Sequence, residues 1–236
     1  MMSKFTVNFV GYHMRSRQKR PAIGLLLILL VVFGSCHKEI QSQKEVFRSD
    51  FATPASLQGI EGGVLNNYDG KTVTGFYNNS GFTLKIPSLE KHDLILVEFD
   101  LYIHDTWGGN NTGDRDNTDG PDIWELSIDD EKVIRTTFSN SQCLATYCLQ
   151  QSYPKNYPFH YDAKASAYLT NLPGRCSLVN VAGGTTLYRI AKIFNHSASN
   201  IKLEFKDLLK QNNTVDMLCD ESWSLDNLSV SIITVN

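Results

Sequence analysis

Apolar residues in this chain recur in short runs separated by turn-forming text. Thr83-Leu-Lys-Ile alternates, Leu94 to Ile103 is a long apolar run with alternating stretches, and Ile123 to Ile128 alternates again. Val133 to Phe138, Thr186 to Ile193, Ile201 to Phe205 and Leu228 to Val235 follow in the same manner. A period of two lays alternate side chains on one face of a strand, and the Gly, Asn, Asp and Pro clusters between the runs are turn chemistry. No segment keeps an apolar 3.6-residue period for three turns, and Phe205 to Leu209 reads at most as one helical turn. Many short strands with turns between them predict an all-β chain, an antiparallel β-sandwich of the jelly-roll kind.

A different pattern opens the chain. Arg15, Arg17, Lys19 and Arg20 precede an aliphatic run from Ala22 to Phe33, which ends in Gly34-Ser-Cys36. The run is shorter than the roughly 20 apolar residues that span a bilayer and has the length of a secretory h-region. A cysteine directly after two small residues resembles the lipobox of bacterial lipoproteins. That resemblance implies cleavage before Cys36, acylation of its sulfur and amine, and a mature domain tethered by lipid at the cell envelope, with the outer membrane as the expected site. The other reading is an ordinary signal peptide with Cys36 left for a disulfide. On the first reading, residues 1–35 are the signal, 36–45 a polar, aperiodic tether, and 46–236 the sandwich domain.

Charge and cysteines narrow the picture further. The signal carries five of the 22 basic residues and no acidic one, so 17 basic face 25 acidic residues afterwards, a net charge of −8. No basic patch remains for phosphates, which excludes nucleic acid as the expected partner. Cys143, Cys148, Cys176 and Cys219 form an even set, read as a disulfide framework in an oxidising compartment. The favoured pairs are Cys143–Cys148, closing a small loop, and Cys176–Cys219, tying distant segments. A zinc site is the alternative, but it lacks paired His or C-x-x-C spacing.

Glu221-Ser-Trp-Ser-Leu-Asp-Asn-Leu228 resembles the last strand of jelly-roll modules in large secreted bacterial proteins, where the text runs E-S-W-G-(I/L)-D-N-(V/I). Val97 to Asn110, Gly120 to Asp129, Thr137 to Asn140 and Gln151 to Pro154 continue the likeness, which spans about Phe47 to Val235. Ser224 departs from the pattern's Gly, and Gly108 stands where Asp is frequent. Such modules resemble galactose-binding-like and carbohydrate-binding jelly rolls in architecture. The resemblance implies a structural calcium held by an Asp of the last strand, here Asp226, with Asp50 or Glu61 on the second side; the other reading is that Asp226 and Asn227 cap backbone groups at a sheet edge.

The densest acidic stretch, Asp105 to Asp122, contains Asn110, Asp114, Asp116 and Asp119 as well. Calcium takes six to eight oxygen ligands, which such a loop could supply. Asp119 occupies the position where an EF-hand needs Gly, so that reading fails, leaving a calcium-binding sandwich loop or a solvated loop whose Asp and Asn make turns. Trp107 lies in the Gly/Asn loop, where an exposed ring would stack on a sugar face. Tyr153 and Tyr157, near Phe159 and Tyr161, mark an aromatic-rich loop that could share that surface. Trp124 and Trp223 fall in strand text and are expected in the core. Glu125, Asp129 and Glu131 lack the E-x-D-x-x-E period of sandwich glycosidases, and no hydrolase motif occurs. The sequence therefore points to a non-catalytic envelope lipoprotein that binds glycan. The rival reading is a structural or assembly lipoprotein that binds an envelope protein.

Overall fold

Two antiparallel sheets face each other across an apolar core in a computed structural model that describes residues 39–113, 120–144, 146–211 and 215–236. The strands are β1 (Ile40–Ser49), β2 (Ile60–Glu61), β3 (Leu65–Tyr68), β4 (Lys71–Tyr77), β5 (Gly81–Ile86), β6 (Leu94–Asp105), β7 (Ile123–Ile128), β8 (Glu131–Thr137), β9 (Leu169–Pro173), β10 (Ala182–Asn195), β11 (Ile201–Leu208) and β12 (Glu221–Val235), with one short helix, α1 (Met217–Asp220). The first sheet runs β3-β4-β12-β6-β10-β9, with β1 also on β12; the second runs β2-β5-β11-β7-β8. The expected all-β sandwich is what the chain forms. The segment Phe205–Leu208 belongs to β11 rather than to a helical turn, because Phe205 alternates with outward Lys206 and pairs with Leu126.

Alternation assigns the faces. In β6, Ile95, Val97, Phe99, Leu101 and Ile103 point into the core, and from the facing sheet Trp124, Leu126, Leu203 and Phe205 meet them. In β12, Trp223 and Leu225 point inward, then Leu228, Val230 and Ile232. The step of three between Leu225 and Leu228 reverses which parity faces inward. A bulge supplies the extra residue: Asp226 pairs with Asp100 and Ser229 with Glu98, with Asn227 in the left-handed region at φ 52°. Asp129 and Asp130 close the β7–β8 hairpin with φ 49° and 71°, the geometry of a two-residue primed turn.

The proposed tether is not wholly tether. Ile40–Glu45 already belongs to β1, paired with Ser231–Val235 of β12. Its polar, exposed side chains hid the strand, because an edge strand is held by its backbone ladder and needs little apolar pattern. Cys36 lies outside the described residues. Both expected disulfides form, Cys143–Cys148 and Cys176–Cys219, with Cα separations of 4.3 and 5.0 Å.

At the end of the sandwich where β7 turns into β8, three loops are joined by a chain of polar contacts. Asp129 Oδ2 lies 3.0 Å from His196 Nε2, His196 Nδ1 lies 2.7 Å from His92 Nε2, and His92 Nδ1 lies 2.7 Å from the Glu90 carbonyl. Carbonyl and carboxylate only accept, so both outer contacts need a ring N–H and the middle one needs a third. All three contacts coexist only when the two rings share three protons.

Candidate functional site

The opposite end gathers the C-termini of β6, β8 and β11, the N-termini of β7 and β12, and both disulfide-closed loops. Most of the residues singled out from the sequence lie here, though several do not do what their type suggested. Trp107 is 0 % exposed. Its Nε1 donates to the Ser222 carbonyl at 2.9 Å and its ring meets Phe138 edge-on, so it plugs the end of the core and is not an exposed stacking platform. The reason is local: Gly109, at φ 67°, lets the chain fold down on itself, and a Cβ there would sit 2.3 Å from the Gln150 carbonyl oxygen.

Tyr153 is also core, 6 % exposed, packed on Phe138 and Tyr188. Tyr157 is half-buried beside the Arg135 guanidinium. Asn110 spends its side chain on bracing: Nδ2 donates to the Phe159 carbonyl at 2.7 Å, and Oδ1 accepts from Ser152 and Thr137. Asn110 and Tyr153 therefore brace the 149–161 loop, and Trp107 closes the end of the core. Gln151, wholly buried, completes that scaffold by accepting from the Ser139 and Lys164 backbone amides and the Tyr188 hydroxyl.

The described carboxylates among those expected to bind calcium do not converge. Asp105 is buried and accepts from the backbone N–H groups of Cys176 and Leu178, each at 3.0 Å; burial raises its pKa and those amides oppose the rise. Asp226 lies across from Asp100, five strand positions before Asp105 on β6, a span of roughly 16 Å. Its oxygens are answered by Asn227, whose Nδ2 also donates to Asp100 at 2.9 Å. Burial, with Asp100 adding repulsion, raises the Asp226 pKa. Asp50 caps the Ala52 amide and Glu61 pairs with Lys85, so neither completes a cage. Asp114, Asp116 and Asp119 lie outside the described residues. Among the described residues, no group of three or more His, Cys, Asp and Glu side chains is arranged to hold a metal ion.

One expected residue, Asp122, does face a cavity. The cavity, about 270 Å³, opens between the Thr106–Asn111 loop, Lys210–Gln211 and Asp220–Glu221. Asp122 is 2 % exposed, and its Oδ2 accepts from the Gly108 amide at 2.8 Å. Its Oδ1 is buried without a hydrogen bond. Burial above all pushes the carboxyl up to about 7; the Gly108, Lys210 and Gly109 amides pull against it, and Asp220 adds repulsion. Asp220, closing α1, is already answered, accepting from Thr106 Oγ1 at 2.7 Å and from Gln211 Nε2 at 3.2 Å.

A second cavity of about 260 Å³ shares Thr106 and Leu149 with the first, and Trp107, Leu178 and Val181 contribute its apolar wall. Leu144, Tyr147, Val179 and Val181 stand exposed on the two disulfide-closed loops nearby. The larger groove of about 740 Å³ among Phe47, Leu84, Ile86 and Ile201, near β1, is mainly apolar and has no buried unpaired polar atom in its lining. Sequence reasoning missed Thr106, Gln211 and Asp220. Asp220 opens the closing segment that carries the jelly-roll resemblance, which gave it no role of its own, while Gln211 belongs to a polar stretch with no pattern.

No family model matches this chain, and no curated protein matches it. Among solved structures it is similar to a family 35 carbohydrate-binding module from Clostridium thermocellum, at TM-score 0.34 and 10 % identity, over 80 % of this chain and 97 % of that one. It is similar to the module TmCBM27, described for specific mannan recognition, at TM-score 0.37 and 12 % identity, over 81 % and 98 %. Dimeric latent PorU from Porphyromonas gingivalis matches at TM-score 0.32 and 9 % identity, over 84 % of this chain and 13 % of that one. At these scores the likenesses carry no argument about a ligand.

Proposed function

We propose that this chain is a cell-envelope lipoprotein, anchored through Cys36, whose sandwich recognises glycan at the Asp122 end without catalysing a reaction. The observation that supports the binding reading is the buried Asp122 oxygen lacking a partner, in a polar cavity that adjoins an apolar one. A buried polar atom without a partner costs the fold free energy, and retaining one at a cavity suits a ligand that supplies the missing contact. A sugar ring presents hydroxyl edges and an apolar C–H face, which the paired polar and apolar cavities complement. Each cavity lies near the lower end of small-molecule sites, about 300 Å³, so each suits one ring rather than a long chain. A glycan array probed with the purified protein tests the reading: retention should be lost in Asp122→Asn while the variant stays folded, with a melting temperature no lower than the parent's. A blank array would refute it.

A second reading rests on exposed Leu144, Tyr147, Val179 and Val181, clustered on braced loops as a protein-docking patch would be. Stoichiometric co-purification of one envelope protein, lost in Tyr147→Ser, would favour it. For the anchor, labelling with a fatty acid should require Cys36, and label persisting in Cys36→Ser would remove that part of the proposal.

A further inference from the structure

We infer that the Asp122 cavity takes a free amino group, and, resting on the glycan reading, that its ligand class is sugars with an unacetylated amine. The argument begins with the acceptor inventory. Asp220 has both oxygens engaged, by Thr106 and Gln211. Asp122 has one oxygen engaged by Gly108 and the other buried and unanswered. Toward the ionised carboxylate, which only accepts, the missing partner is therefore a donor.

Charge then separates the donors. A hydroxyl would satisfy the hydrogen bond but leave two neighbouring carboxyl groups, Asp122 and Asp220, in mutual repulsion within a region that solvates charge poorly. An ammonium answers both needs at once. It makes a charge-assisted contact of about 2.7–2.9 Å and has three N–H groups. The side-chain carbonyls of Asn111 and Gln211, on the same lining, each accept one hydrogen bond, from the Gly113 amide and from Asn78 Nδ2, and each keeps a second lone pair for the remaining N–H groups. Among the described residues of the lining, Lys210 is the one basic residue, and it is exposed. The same cavity would reject an N-acetyl group, which removes the charge and adds bulk where about 270 Å³ is available.

Isothermal titration of the purified protein at neutral pH tests this with four probes: a β-1,4-linked glucosamine dimer, its N-acetylated counterpart, cellobiose, and lysine methyl ester. The glucosamine dimer should bind at least tenfold more tightly than the other three. Asp122→Asn should abolish that preference, and Asn111→Asp, which adds a carboxylate to the same wall, should strengthen it. Equal binding of cellobiose and the glucosamine dimer would overturn the amine inference and leave the glycan reading standing. Lysine methyl ester binding as tightly as the dimer would sustain the amine inference and overturn the glycan reading. No binding by any probe, or binding indifferent to both variants, would overturn the inference together with the cavity's role.

Discussion

Replacing Asp122 by Asn should stabilise this protein at pH 8, although it removes a buried, hydrogen-bonded side chain. The folded-state pKa is raised, to about 7, against 3.8 for the free side chain. A raised carboxyl pKa means that the folded state holds the proton more tightly than the unfolded state. The associated stability is therefore fully present below about pH 4 and is lost as pH rises through 7. Three pKa units correspond to about 4 kcal/mol. The asparagine still offers one oxygen to the Gly108 amide and turns a neutral NH₂ to the cavity, so a net gain of roughly 2–4 kcal/mol at pH 8 is expected. The gain should shrink to near zero by pH 4, where the native carboxyl is already neutral. Urea unfolding of both proteins at several pH values between 4 and 8, followed by tryptophan fluorescence, measures the gap directly. A variant less stable than the parent at pH 8, or a gap that does not change with pH, would refute the reasoning. The result also bears on function, since a residue that lowers stability where it stands is one retained for another use.

Other consequences can be checked with the same melts. Trp107→Ala should cost about 3–5 kcal/mol, because it empties a core site and removes the donor to Ser222; a loss below 1 kcal/mol would contradict its burial. Asp207 accepts from Trp223 Nε1 at 2.9 Å and from the Asn79 and Ser80 amides, so Asp207→Ala leaves three donors unanswered and should cost several kcal/mol. The Cys176–Cys219 bridge, 43 residues apart in sequence, should contribute about 4 kcal/mol against about 2 for Cys143–Cys148, and double-alanine variants of each pair give the comparison.

Where side-chain pattern alone decides structure, the sequence was readable. The spacing of Trp223, Leu225, Leu228, Val230 and Ile232 contains both the strand and its bulge, because a step of three in a period of two needs one extra residue. The cysteines were readable because their number and spacing left few pairings. Trp107 misled because two glycines after it looked like an exposed loop, whereas Gly109 lets that loop pack flat against Gln150. Ile40–Glu45 was unreadable as strand because the β12 backbone, far away in sequence, holds it. The Asp122 site depends on Thr106, Gln211 and Asp220, brought together by three separate strand ends, and no local pattern encodes such a meeting.

The placement of β12 has a consequence for how this molecule comes into being. Strand β12 lies between β6 on one side and β1 and β4 on the other, so the middle of the larger sheet is made after every other described strand. Until it arrives, β1 has no partner among the strands and β6 lacks one edge. Pairings of such long sequence separation fold slowly, because loop closure must be met before contacts repay it. The nascent domain is thus held open by its own topology until β12 has emerged, and losing Leu228–Val235 would free β1 and half of β6 together.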